Sequence, residues 1–192
     1  MQDRNSAEHY GAVPKAFHWL TVVLVIVGWL LGQFGDDLPH ALHAVGLAVH
    51  ISIGTTIFLL LLARIAWRFI DPPPPPEKTR LGDLAEIVAK LVHVALYALL
   101  VAIPVMGVLT QFARGHALPI FGLWEITSPW VRDRAFAKSM QDIHELLANA
   151  LVILAAVHGA AALAHHFVLG DRTLQRMLPQ PLERGALKAS EA

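Results

Sequence analysis

The stretch Leu146–Leu169, LLANALVILAAVHGAAALAHHFVL, decides the fold class, because it is long, apolar and free of Asp, Glu, Lys and Arg. Three further stretches share these properties: Phe17–Phe34, Ala44–Ala63 and Leu91–Phe112. An α-helix rises about 1.5 Å per residue, so about 20 apolar residues cross a hydrocarbon core of roughly 30 Å. All four stretches are close to that length or exceed it. One such stretch alone could be a core helix of a soluble protein. Four together predict an all-α fold, a four-helix transmembrane bundle.

The composition agrees with a membrane protein and excludes several other classes. Of the 192 residues, 55% are hydrophobic and 16% are charged, whereas soluble domains carry about 25% charged residues. Fifteen basic and fifteen acidic residues balance, so the net charge does not indicate a nucleic-acid partner. The absence of cysteine excludes disulfides, iron–sulfur clusters and covalent haem attachment.

The predicted organisation is one integral-membrane domain over residues 1–192. We expect helices at about 15–34, 44–69, 83–112 and 139–169, and a flexible tail at about 178–192. The link Asp71–Arg80 contains five consecutive prolines and is expected to be a stiff connector.

The distribution of basic residues predicts the orientation. Four crossings place both termini on one side, and cytoplasmic loops carry an excess of Lys and Arg. Four basic residues fall on the other side: Arg114, Arg132, Arg134 and Lys138. The side of the termini has eleven and is therefore predicted to be cytoplasmic: Arg4, Lys15, Arg64, Arg68, Lys78, Arg80, Lys90, Arg172, Arg176, Arg184 and Lys188.

Histidines within membrane spans are candidate functional residues, because an ionisable group is costly there. The spacing of His144 and His158 places both on one helix face with a rise of about 21 Å between them. One metal cannot bridge that distance, whereas two macrocycles at different depths can each take one imidazole. Matching depths pairs His18 with His158 on the inner side and His50 with His144 on the outer side. This pattern predicts two non-covalent haems b with bis-histidine ligation. The alternative is that these histidines only form hydrogen bonds between helices.

Several motifs along almost the whole chain resemble the prokaryotic cytochrome b561 family, and most of all its superoxide oxidase branch. They are Phe17-His18-Trp19, Val49-His50-Ile51-Ser52-Ile53-Gly54, Ala63-Arg64 through Arg68, Ala102-Ile103-Pro104-Val105-Met106-Gly107, His144-Glu145-Leu146-Leu147-Ala148-Asn149, the run His158 to Phe167, and Leu174-Gln175-Arg176-Met177-Leu178-Pro179.

The resemblance implies a diheme cytochrome b of the bacterial cell inner membrane, with quinone as one redox partner. It supports His18, His50, His144 and His158 as axial ligands of the haem iron. In superoxide-oxidising members, superoxide on the outer side gives its electron to the haems and ubiquinone is reduced. Two other classes stay open: an electron-relay or anchor subunit that links another donor to the quinone pool, and a non-redox transporter or structural bundle.

Reduction of ubiquinone consumes protons, so its site needs a proton-handling group near a haem. His165 lies two helical turns beyond His158, towards the cytoplasm, and an imidazole can both donate to a quinone carbonyl and relay protons. It is the predicted quinone-binding residue, with His166 and Trp19 as neighbours. We assign His93 no ligand role. Arg64 and Arg68 are candidates for neutralising haem propionates. The basic residues of the outer loop are candidates for attracting superoxide.

Overall fold

A computed structural model describes residues 3–6, 9–77, 79 and 81–179, and its architecture is the predicted four-helix bundle. The helices are α1 (Ala12–Phe34), α2 (His43–Ile70), α3 (Gly82–Ala113) and α4 (Arg134–Ala164). All four are long and apolar enough to cross a membrane. The chain is therefore a multi-pass membrane protein. Four of the basic residues used for the orientation argument, Lys78, Arg80, Arg184 and Lys188, lie outside the described residues, as does the predicted tail from residue 180 onward.

The helix limits differ from the apolar stretches, and at the start of α4 a side-chain cap sets the limit. α4 begins at Arg134, five residues before the expected start, because the Asp133 side chain accepts a hydrogen bond of 3.0 Å from the Phe136 N–H. Such an N-cap starts a helix whatever the polarity of its first turn. At the other end, α4 passes into one turn of π-helix, His165–Leu169, which ends at Gly170 with a φ of 71°.

The four helices pack as neighbours in a ring. α3 packs most extensively along α4, and α1 along α2, while the contacts of α2 with α3 and of α1 with α4 close the ring. In the described part of the chain, the diagonal partners α2 and α4 make no close backbone approach. Large apolar side chains point outward, for example Leu146 (68% exposed) and Ile153 (66% exposed), which suits a lipid environment.

A small apolar cluster lies at mid-height in the bundle. Its buried members are Ile57, Leu61, Leu100 and Leu151. His144 and His158 lie seven residues before and after Leu151 on α4. The apolar cluster therefore separates an upper from a lower level of histidines.

The connections define two faces of the bundle. The hairpin face contains residues 35–42 and 114–133, including the antiparallel strands β1 (Leu118–Ile120) and β2 (Trp124–Ile126). The terminal face contains residues 3–6, 9–11, 71–77 and 170–179. Its segments are tied together, since the Asn5 N–H donates to Asp71 Oδ2 (2.9 Å) and Arg176 pairs with Glu77 (3.3 Å).

Candidate functional site

Two histidines face each other across the α2–α4 diagonal, near the hairpin face. The ring centres of His50 and His144 are 6.0 Å apart, and the ring planes are inclined by 67°. Since the backbones of α2 and α4 do not approach each other closely here, the two side chains reach into the space between the helices. The structure thus brings together the pair that depth alone predicts.

Each of these two rings is held from behind by a neighbouring helix. The Nδ1 of His50 lies 2.9 Å from the carbonyl oxygen of Gly28 in α1, and the Nδ1 of His144 lies 2.9 Å from that of Ile103 in α3. A carbonyl oxygen only accepts, so both Nδ1 atoms carry the proton. This fixes the tautomer in which Nε2 is an unprotonated donor to a metal.

Glycines make room for both rings. A Cβ at Gly32 would lie 3.4 Å from Cε1 of His50, and a Cβ at Gly107 would lie 3.3 Å from Cε1 of His144. Each glycine is one helical turn beyond the carbonyl that binds the same ring. The rings can therefore lie directly against the backbones of α1 and α3.

A second cluster of histidines lies nearer the terminal face. His18, His158, His93 and Arg64 are close enough to interact electrostatically. The ring that contacts His158 is His93, with centres 5.0 Å apart and planes inclined by 81°. The structure therefore brings His18 and His158 into one cluster, and it adds His93 as a direct neighbour that the depth argument did not use.

Two arginines and a tyrosine extend this lower cluster. The Arg64 guanidinium lies 5.5 Å above the centre of the Tyr97 ring, and Arg68 Nη1 is 3.5 Å from the Tyr97 hydroxyl. Among the described residues, neither arginine forms an ion pair with a carboxylate. Both remain available to an anionic group at this level.

The three predicted quinone-site residues have different surroundings. His165 Nδ1 lies 2.5 Å from Asp171 Oδ2. His166 packs its ring against Phe167, with centres 4.7 Å apart. Trp19 contacts the His18 ring edge-on at 5.3 Å and donates its indole N–H to the Met177 carbonyl at 2.9 Å.

A cationic cavity of about 170 Å³ opens on the hairpin face. Gln141 also lines the cavity and accepts a hydrogen bond of 2.6 Å from Arg114. Lys138 forms an ion pair with Asp142. In the part of the chain that the structure describes, the arginines of the cavity form no ion pair. The four predicted basic residues of the outer loop all line this cavity: Arg114, Arg132, Arg134 and Lys138.

Sequence reasoning missed three groups of residues at these sites. The carbonyls of Gly28 and Ile103 carry no side-chain signal. Asp171 could have been found, because it follows a helix-ending Gly170 and so returns towards the last turn. Asn149 accepts hydrogen bonds from Trp29 (2.8 Å) and Gln33 (3.4 Å), which only the packing of α1 on α4 reveals.

Four apolar crossings with histidines facing each other inside the bundle define a membrane electron-transfer protein of the cytochrome b type. Comparison with known proteins identifies its family. The family model described as prokaryotic cytochrome b561 matches residues 9–180, and the chain belongs to this family.

Three relatives show how similar the chain is to other proteins in sequence. The chain is 34% identical to cytochrome b561 homolog 2 of Escherichia coli over 180 residues, which cover 93% of this chain and 95% of that protein. It is 31% identical to the probable superoxide oxidase CybB of Yersinia pestis over 173 residues (89% and 96%). It is 29% identical to cytochrome b562 of Cereibacter sphaeroides over 175 residues (88% and 94%).

Membership of this family implies binding of haem b, and the residues fit that group. The rings of His50 and His144 face each other with centres 6.0 Å apart, and each has an Nε2 free of a proton. These two residues would therefore hold the iron of a haem between them. In the described residues, no three His, Asp or Glu side chains could together hold a metal ion.

Proposed function

We propose that this protein is a superoxide oxidase, a diheme cytochrome b that carries electrons across the bilayer from superoxide to ubiquinone. The reaction is 2 O₂⁻ + ubiquinone + 2 H⁺ → 2 O₂ + ubiquinol, which balances in charge and atoms. The hairpin face is external, and the terminal face with both chain ends is cytoplasmic. The membrane is the bacterial inner membrane.

The observation that carries the proposal is the facing pair His50 and His144 at one level, with a second histidine cluster nearer the terminal face that includes His158 of α4, the helix that also carries His144. His144 and His158 are separated by about 21 Å along α4. We assign His50 and His144 to one haem, and His18 and His158 to the other. When bound, the two haems supply one-electron transfer between the two levels.

At the hairpin face, the protein's own residues attract the substrate anion. The cavity lined by Arg114, Arg132, Arg134 and Lys138 lies at the ends of α3 and α4, and Gln141 at its wall is one helical turn from His144. A concave site with one sign of charge raises the local concentration of a diffusing anion. Superoxide itself cannot readily enter the apolar layer below.

At the terminal face, His165 delivers protons to ubiquinone. It lies two helical turns beyond His158, so it is close to the lower haem and to the cytoplasmic water that replaces its proton. We assign His166 and Trp19 to the same quinone site; Trp19 contacts the ring of His18, a proposed ligand of the lower haem.

Haem content and superoxide oxidation in purified variants test this proposal. We expect two haems per polypeptide, both reduced when superoxide is added. His50→Ala and His18→Ala should each remove or convert one low-spin haem. His93→Ala is the matched control in the lower cluster and should keep both. One haem per parental polypeptide, or loss of a haem from His93→Ala but not from His18→Ala, would contradict the ligand assignment.

The substrate is tested separately by ionic strength. Arg132→Gln should slow haem reduction by superoxide and weaken its salt dependence, because screening acts on the cavity charge. Haems that superoxide does not reduce, but that a partner protein does, would instead identify a relay subunit.

A further inference from the structure

Asp171 forms a close pair with the predicted quinone residue. Its Oδ2 lies 2.5 Å from His165 Nδ1, and the two side chains are 10% and 20% exposed. The other carboxylate oxygen, Oδ1, accepts the Thr173 N–H at 3.0 Å. The Asp171 backbone N–H donates to the His165 carbonyl at 3.1 Å. The carboxylate is thus fixed on both oxygens and by its own backbone.

The backbone conformation that creates this pair is specific to the end of α4. The π-helical turn His165–Leu169 is followed by Gly170, whose φ of 71° lies in the left-handed region that favours glycine. The chain therefore turns back, and a residue six positions later meets His165. Single π-helical turns are found often at functional sites.

The carboxylate is ionised at neutral pH. Burial raises the pKa of Asp171, but hydrogen bonds from His165 and Thr173 outweigh it and hold this pKa below its ordinary value of 3.8. Arg172, the next residue, bonds to His9 at 2.9 Å. Within the described residues, His165 is the titratable group that faces this carboxylate.

We propose that Asp171 is a positioning residue that keeps a proton on Nδ1 of His165 and thereby leaves Nε2 to face ubiquinone. This inference rests on the proposed quinone site. A doubly protonated His165 gives its Nε2 proton to a reduced quinone oxygen, whose electrons come from superoxide. The neutral ring keeps its Nδ1 proton, which is directed at Asp171, and the carboxylate stays ionised throughout. Water at the terminal face returns the proton to Nε2, and two such rounds supply the two protons of ubiquinol.

The test is the reoxidation of pre-reduced haems by a water-soluble ubiquinone analogue, followed by stopped flow across a pH range. We expect Asp171→Asn to slow reoxidation by about 10- to 100-fold, by comparison with the loss of activity when a metal-bound histidine loses its hydrogen-bonding partner. The alkaline limb of its pH profile should also move to lower pH, because an adjacent carboxylate favours the protonated imidazole. The haem spectra and the reduction by superoxide should not change. Asp83→Asn, an exposed acid at the start of α3 on the same face, is the matched control.

Two comparisons separate this inference from the proposed function. If His165→Ala does not slow reoxidation, the quinone site itself is wrong. If His165→Ala slows it and Asp171→Asn has the parental rate, or is slowed without any shift of the pH profile, the positioning role is overturned. Asp171→Glu retains the charge. Should Asp171→Asn fail to fold, Asp171→Glu is expected to keep the alkaline limb in its parental place, and a shifted limb would overturn the proposal.

Discussion

Enlarging Gly107 tests how closely the His144 ring depends on the surface of α3. A Cβ at this position would lie 3.3 Å from Cε1 and 3.5 Å from Nδ1 of His144. Gly107→Ala therefore requires a shift of a few tenths of an ångström, which leaves the 2.9 Å bond to the Ile103 carbonyl within hydrogen-bonding range. Gly107→Val adds methyl carbons about 1.5 Å further out, so the ring must move by roughly an ångström and the bond is lost.

The free energy of haem binding that Gly107→Val is expected to lose has two contributions. Overpacking costs about 1–3 kcal/mol, and the lost hydrogen bond about 1 kcal/mol. The sum of about 2–4 kcal/mol corresponds to roughly 30- to 700-fold weaker binding of the haem that we propose for His50 and His144. Haem per polypeptide and the low-spin absorption spectrum measure this loss.

Two variants serve as controls for this prediction. Gly107→Ala should retain the haem content of the parental protein. Gly35→Val should do the same, because a Cβ there meets nothing within 4 Å and the backbone has the right-handed helical conformation that any residue adopts. A Gly107→Val protein with the parental haem content and the parental spectrum would refute this prediction.

Two further predictions concern stability. Asn149→Leu leaves the Trp29 and Gln33 donors without their acceptor and should lower the Tm in detergent, as expected for a loss of about 1 kcal/mol in a membrane helix pair. The control Ser52→Ala removes a hydroxyl that is bonded within its own helix and should lower the Tm less. Equal shifts in the Tm of the two variants would contradict the role of Asn149. Asp171→Asn should have a lower free energy of unfolding than the parent at neutral pH, because a lowered carboxyl pKa means that the fold stabilises the ionised form. This difference in stability should vanish as the pH falls below 3.8 and through the lower pKa that Asp171 has in the folded state. A difference in unfolding that persists unchanged in strong acid would contradict the second prediction.

The helices were predictable because membrane crossing imposes length and apolarity on a continuous segment. The approach of His50 to His144 was also predictable, since helical rise fixes the depth of each residue. Their assignment as ligands stays a prediction. The start of α4 at Arg134 was not predictable from hydropathy, because the Asp133 cap acts through local hydrogen bonding within polar residues.

The lower cluster shows a different limit of sequence reasoning. Depth places His18, His93 and His158 on similar levels, but the direction in which each helix turns its side chains depends on packing. The contact of His93 with His158 therefore appears only in three dimensions. The same holds for the Asp171–His165 pair, which depends on a π-helical turn and a left-handed Gly170.

The backbone carbonyls that hold His50 and His144 have a consequence for how the protein acquires haem. Gly28 belongs to the same helical hairpin as His50, and Ile103 belongs to the same hairpin as His144. Each hairpin can therefore orient its own imidazole before the two hairpins associate. Immobilising a side chain costs about 0.5–1.5 kcal/mol, and here that entropy is lost during the folding of each half rather than at the arrival of the porphyrin. The apoprotein thus presents a receptor that is already arranged for insertion.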